Sequence, residues 1–168
     1  DTKQYQGNIA NLESILPAFK RQEMVVHLAA DSNQISSWES VLPNNIIGTY
    51  NVFEACRING VKRVIFASSN HATGMYERDH PNHHIVKGEY DKVNLSPIPQ
   101  VSHKSEIRPD GYYGISKAYG EAMGRYYSEE YGISVICLRI GTVNHWDNPT
   151  RNIRHFATWQ SHRDLEQM

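Results

Sequence analysis

The sequence predicts an α/β protein built on an open parallel sheet, and three observations carry that expectation. Short apolar runs rich in β-branched residues recur at 24–30, 64–67 and 133–138. Between them lie segments of ten or more residues whose apolar positions follow helical spacing. Two of those segments end on glycine, Gly60 and Gly132, the residue that most easily takes the left-handed conformation closing a helix. Strands alternating with helices are the signature of βαβ units with right-handed crossovers.

In chain order, Asn11 is positioned to open a first helix by accepting a free backbone N–H. Leu12, Ile15, Leu16 and Phe19 then form its apolar face, and Pro17 keeps it short or kinked. Residues 24–30 read as a strand buried on both faces, as parallel sheets require, and 31–37 as the loop leaving it. From 45 to 59, Ile46, Ile47, Tyr50, Phe53 and Ile58 predict the buried stripe of a second helix. Strand 64–67 follows, then a long helix over 113–131 and a third strand over 133–138. Residues 75–112, with Pro81, Pro97, Pro99 and Pro109 and little periodicity, read as an irregular insertion or cover.

Composition narrows the function classes. The 168 residues carry 17 Lys+Arg against 18 Asp+Glu, a formal charge of −1, which gives no basic footprint for nucleic acid. No apolar run approaches the roughly 20 residues of a membrane span, and Asp1-Thr2-Lys3-Gln4 has no signal-peptide pattern. A soluble, cytoplasmic protein is expected. Cys56 and Cys137 sit in apolar patterns without C-x-x-C spacing and read as reduced core residues. His80, His83 and His84 read as part of a solvated loop, since no carboxylate or thiolate stands at a matching spacing, so no metal is expected.

In an open α/β sheet, ligands bind beyond the carboxyl ends of the strands. Ser68-Ser69-Asn70-His71-Ala72-Thr73-Gly74 concentrates hydroxyl, amide and imidazole groups at such an end, suited either to a substrate or to a capped turn. Tyr113 and Lys117 stand four apart on one helix face, where an ammonium can stabilise a phenolate and lower the pKa of about 10 that makes phenol a poor base.

Taken in order, His27-Leu28-Ala29-Ala30, Asn45-Ile46-Ile47-Gly48-Thr49-Tyr50-Asn51, Ser68-Ser69, Tyr113-x-x-x-Lys117 and Leu138-Arg139-Ile140-Gly141 resemble the extended short-chain dehydrogenases, the NAD-dependent epimerase/dehydratase family. The resemblance covers nearly the whole chain and implies a Rossmann-like, doubly wound parallel sheet lacking its N-terminal glycine-rich βαβ unit. Within the family, Ser68-Ser69-Asn70-His71 with Gly74, and Arg154-His155-Phe156-Ala157-Thr158-Trp159, are similar to the uronate dehydrogenase and archaeal NAD-dependent glucose-6-phosphate dehydrogenase branch. That branch oxidises C1 of a hexose to a lactone. Ala72-Thr73-Gly74 stands where nucleotide-sugar epimerases more often carry Val-Tyr-Gly.

The resemblance implies Tyr113 as the proton acceptor, Ser69 as its hydrogen-bonding partner on the substrate oxygen, and Lys117 on the nicotinamide ribose. Asn45 is implied to support the Lys117 region through the backbone or a water. NAD, with NADP as the other option, is implied to lie along Leu28, Ala29 and Ala30, with Asn8 and Ile9 at its adenine. Ser32, Asn70, His71 and Arg154 match substrate-contacting positions, Arg154 by a fork suited to carboxylate or phosphate.

No G-x-x-G-x-x-G turn precedes His27, so the helix N-terminus that receives a pyrophosphate is missing. The chain therefore reads as a portion of something longer: residues 1–144 as a partial cofactor domain with 75–112 as its cover, and 145–168 as the start of a substrate-binding part. The alternatives are a nucleotide-sugar epimerase or dehydratase, and a non-catalytic binding protein of the same fold. A homodimer through the helices over 45–59 and 113–131 is implied by resemblance.

Overall fold

A computed structural model describes residues 3–94, 97–98 and 100–168; Asp1, Thr2, Leu95, Ser96 and Pro99 lie outside it. Three parallel strands, β1 (Met24–His27), β2 (Arg63–Ser69) and β3 (Ser134–Ile140), form one sheet in the order β1-β2-β3. Val25 pairs with Val64 and Phe66 with Cys137, so β2 is central and its carboxyl end runs furthest alongside β3, to Ser69 opposite Ile140.

Helix α1 (Leu12–Phe19) precedes β1, and α5 (Tyr112–Tyr131) joins the insertion to β3. Between β1 and β2 the chain is helical from Trp38 onward: α2 (Trp38–Val41), a π-helical stretch (Leu42–Ile47) and α3 (Gly48–Asn59). This helical run begins earlier than the sequence predicts, because Pro43, which lacks an N–H, is absorbed at the start of the wider π turn. Gly60 (φ 70°) and Gly132 (φ 69°) close α3 and α5 in the left-handed conformation, as expected. Asn11 does precede α1 in extended conformation, but its side chain makes no cap bond. Ser14, in the first turn, instead ties down the loop before the helix: its Oγ accepts from the Asn8 N–H at 3.0 Å and donates to the Asn8 and Asn11 carbonyls at 2.9 and 2.8 Å.

The core lies between the sheet and α1, α3 and α5, where Ile15, Val52, Phe53, Ala55, Cys56, Val64, Tyr127 and Ile133 are buried together. Gly120 lets α5 sit directly on β2, since a Cβ there would stand 2.1 Å from the Phe66 ring. Two expectations fail on burial. β1 is an edge strand with Val25 and His27 inward but Met24 and Val26 about half exposed, so it is covered on one face only. In the helix over 45–59 the expected apolar stripe is mostly outward, with Ile47, Tyr50 and Ile58 exposed. Of that stripe Phe53 alone is fully buried, and the rest of the inward face is mostly small or polar: Asn45, Gly48, Thr49, Val52, Ala55 and Cys56.

The insertion is less irregular than its prolines indicate. A 3-10 stretch (Asn70–Arg78) continues directly from β2, followed by a short helix α4 (Asn82–Ile85) and a 3-10 turn (Tyr90–Lys92). After β3 come a 3-10 turn (Pro149–Arg151), α6 (His155–Thr158) and α7 (His162–Glu166), with Trp159 bridging back to Thr142. Cys56 and Cys137 carry free thiols, Cys56 buried and Cys137 half-buried. None of the described helices is long and apolar enough to cross a membrane.

Candidate functional site

The carboxyl end of β2 and the first turns of α5 bring Ser69, Tyr113 and Lys117 together. Lys117 is buried, and its Nζ donates to the Ala67 carbonyl at 2.7 Å while lying 5.4 Å from the centre of the Tyr113 ring. Burial lowers the Lys117 pKa to about 8, because the charged form is poorly solvated there. Burial also raises the Tyr113 phenol above its ordinary value, with hydrogen bonding to Ser69 pulling it back down. The expected lowering by Lys117 is thus absent from this geometry: the ammonium is aimed at a backbone carbonyl rather than at the phenol oxygen.

Asn45 ties two elements to this pair. Its Oδ1 accepts from the Asp31 N–H at 2.7 Å, and its Nδ2 donates to the Asp31 carbonyl at 2.9 Å and to Ser116 Oγ at 3.0 Å. Ser116 in turn donates to the Tyr113 carbonyl at 2.7 Å. Asn45 therefore reaches the turn that carries Lys117 through the Ser116 side chain and, from it, the Tyr113 backbone carbonyl.

Ser69 caps the 3-10 stretch by accepting from the His71 N–H at 3.2 Å and also donates to Asn70 Oδ1 at 3.3 Å. Ser68 serves the fold: it donates to Glu121, which also receives Arg139. His71 stands edge-on to Tyr113, ring centres 5.8 Å apart, and its Nδ1 meets Asp110 Oδ2 at 2.7 Å. Asp110 is a residue that sequence reasoning missed; its only signal was its place just before the helix that carries Tyr113. Among the described residues Asn70 Nδ2 is buried without a partner, an open donor at the wall of a cleft of about 820 Å³ also lined by Thr73, Glu77 and Arg139.

Arg154 is not presented free to that cleft. Its Nε and Nη2 each donate to a Glu77 carboxylate oxygen at 2.6 Å, with Nη1 reaching Thr142 Oγ1 at 3.4 Å. Glu77 is the second residue missed, and no local pattern marks it. Ser32 is exposed on its loop; Gln34 and Ile35 of the same loop are the ones lining a smaller adjoining cleft with Glu77, His83 and Asp110.

Leu28, Ala29 and Ala30 follow β1 on the side of this constellation, with Leu28 67% exposed, so an apolar ledge lies open there. Ile9 packs on the core and its carbonyl accepts from Asn51 Nδ2 at 2.8 Å. Asn8 Oδ1 accepts from the Ala10 N–H at 2.9 Å, which leaves that oxygen one further lone pair.

Comparison with known proteins identifies the family and the fold. The profile of a family described as NAD dependent epimerase/dehydratase matches residues 1–162. L-arabinose 1-dehydrogenase (NAD(P)(+)) of Haloferax volcanii is 36% identical over 95% of this chain and 63% of its own length. NAD-dependent glucose-6-phosphate dehydrogenase of the same organism is 35% identical over 97% of this chain and 60% of its own. Among solved structures, a mutant uronate dehydrogenase from Agrobacterium tumefaciens complexed with NAD superposes with a TM-score of 0.76 and 28% identity, covering 99% of this chain and 56% of that one. The chain thus spans about three fifths of the length of these relatives.

Proposed function

The chain belongs to the NAD dependent epimerase/dehydratase family, and from that footing we propose that the protein carrying it is an NAD-dependent dehydrogenase that oxidises C1 of a sugar to a lactone. The observation that carries the proposal is the convergence of Ser69, Tyr113 and buried Lys117 at the carboxyl end of β2, where an α/β sheet binds its ligands. The named activities of relatives at 35–36% identity support the same reading.

The residues present fit the nicotinamide half of the cofactor. Lys117 and Tyr113 would hold the ribose, the open ledge of Leu28, Ala29 and Ala30 would line its path, and Asn8 and Ile9 would flank the adenine. NAD, or NADP, supplies the hydride acceptor when bound. Tyr113 takes the proton of the sugar hydroxyl at its phenol oxygen, and Ser69 Oγ holds the same substrate oxygen by a hydrogen bond. Lys117, with its positive charge a ring's breadth away, favours the phenolate once its Nζ leaves the Ala67 carbonyl. Asn45 is a positioning residue that fixes Ser116 and the loop after β1. Asn70 Nδ2 offers its open hydrogen bond to a sugar oxygen, and His71, held by Asp110, forms the wall next to Tyr113.

The pair of Arg154 and Glu77 narrows the substrate. A guanidinium whose Nε–Nη2 edge is taken by a carboxylate has its charge already balanced, and Glu77 itself repels a second anion. An uncharged aldose suits this cleft better than a uronate or a sugar phosphate.

We assign residues 1–144 to the cofactor-binding part, 75–112 to a cover over the cleft and 145–168 to the beginning of the substrate-binding part. Exposed Ile47, Tyr50 and Ile115 on the helices around α3 and α5 support a homodimer through that face, and two free thiols suit the cytoplasm. The test is NADH formation by the whole protein with L-arabinose, D-galactose or D-glucose. Reduction of NAD with at least one aldose is expected. Tight binding of a nucleotide sugar without net NADH would instead assign the protein to the epimerases.

A further inference from the structure

We propose that His80, His83 and His84 form a binding site for a divalent transition-metal ion of the zinc class. One ring nitrogen from each of the three lies within 4.8 Å of the other two, and the segment reads His80-x-x-His83-His84 along α4 and the turn before it. Nitrogen ligands around a tetrahedral zinc, bonded at roughly 2.0–2.1 Å, stand about 3.3 Å apart, so modest side-chain rotation closes the set.

The surroundings are those of a built site. His84 Nδ1 meets Glu89 Oε2 at 2.6 Å, and His83 Nδ1 faces the Asp79 carbonyl at 3.4 Å. A carboxylate acceptor at Nδ1 leaves Nε2 of His84 as the nitrogen free to ligate, which is how carboxylates orient metal-binding histidines. The carboxylate absent from the sequence spacing is therefore supplied in space, acting on a ligand rather than as one. Asp79 is committed to Arg108 at 2.5 Å, so the fourth position falls to water. Imidazole nitrogens select zinc, copper, nickel or cobalt over magnesium or calcium.

The site lies outside the Tyr113 constellation but not far from the substrate. His83 also lines the smaller cleft with Glu77 and Asp110. A bound ion would pin residues 80–89 and with them this wall of the cleft, a structural rather than a chemical role.

The experiment uses the untagged full chain, stripped with chelator and titrated with Zn²⁺ against a chromophoric competitor, and with Co²⁺ followed by its visible absorption. One equivalent bound, with tetrahedral Co²⁺ bands, is expected. His83→Ala and His84→Ala should each weaken Zn²⁺ binding by about 100-fold or more, and Glu89→Gln by about 10- to 100-fold with stoichiometry kept. His145→Ala, away from the cluster, should leave affinity unchanged. Circular dichroism of the metal-free variants controls for folding. The proposal is overturned by binding that is weak and unsaturable, by equal affinity in wild type and His83→Ala, or by a Glu89→Gln variant indistinguishable from wild type. It stands or falls independently of which sugar is oxidised.

Discussion

Arg154 and Glu77, 77 residues apart, face each other through two parallel hydrogen bonds of 2.6 Å, so the one arginine matched to substrate recognition is neutralised from within the chain. Both side chains are mostly withdrawn from solvent, at 22% and 25% exposure, which keeps the pair from being screened away. Glu77→Gln removes the competing charge and leaves the guanidinium available. The ratio of kcat/KM for galacturonate over galactose should then rise by about 10- to 100-fold, the range set by one charge-assisted hydrogen bond. An unchanged ratio would show that Arg154 does not face the substrate.

Tyr113→Phe keeps the ring that packs edge-on against His71 and deletes only the phenol oxygen. In the whole protein kcat should fall by about 10²–10⁴, the usual worth of a general base, while the dissociation constant for NAD stays within a few-fold. Stopped-flow hydride transfer and a fluorescence titration measure the two separately. Lys117 still holds the ribose in this variant, so a loss of cofactor affinity matching the loss of rate would confine Tyr113 to holding the cofactor and remove it as the base.

Strand positions and helix ends were legible because they depend on local chemistry: β-branched runs such as Val64-Ile65-Phe66, and Gly60 and Gly132 at left-handed caps. Tyr113 and Lys117 were legible because four residues of helix decide that they share a face. What was not legible depends on partners distant in sequence. The half-exposed face of β1 is set by what lies beside that edge, and Ile47 and Tyr50 carry helical periodicity whichever way their helix turns. Asp110 beneath His71, Glu77 on Arg154 and Glu89 on His84 all come from or pair with the 75–112 segment, where no period constrains the reading. The placement of the Lys117 ammonium has a related cause: the spacing brings Lys117 near Tyr113 but does not say that its Nζ turns to Ala67.

Asn45 and Ser116, 71 residues apart and both buried, join the π-helical stretch to α5 by a 3.0 Å hydrogen bond. Asn45→Ala removes that bond and two more to Asp31, leaving buried polar groups unpaired, and should cost about 3 kcal/mol in urea denaturation. With Ser116→Ala in a double-mutant cycle, the coupling should be about 1 kcal/mol. Strict additivity would place the role of Asn45 entirely in the Asp31 loop.

His27 gives the fold a pH limit. It is 3% exposed at the end of β1, its Nε2 bonded to Thr49 Oγ1 at 3.2 Å, and burial followed by repulsion from Lys117 lowers its pKa from 6.5 to about 4. The folded state holds this ring neutral, while the unfolded chain takes up a proton below pH 6.5. Between pH 6.5 and 4 the unfolded state therefore binds more protons, and stability falls as pH falls. The shift corresponds to about 3 kcal/mol in full, of which about 2 kcal/mol is lost between pH 7.5 and 5. Thr49 can serve an uncharged amide as it serves the neutral ring, so His27→Gln should fold and lose about 2 kcal/mol less than wild type over that interval. Denaturation curves of both proteins at the two pH values make the comparison, and parallel losses would move the acid sensitivity to other groups.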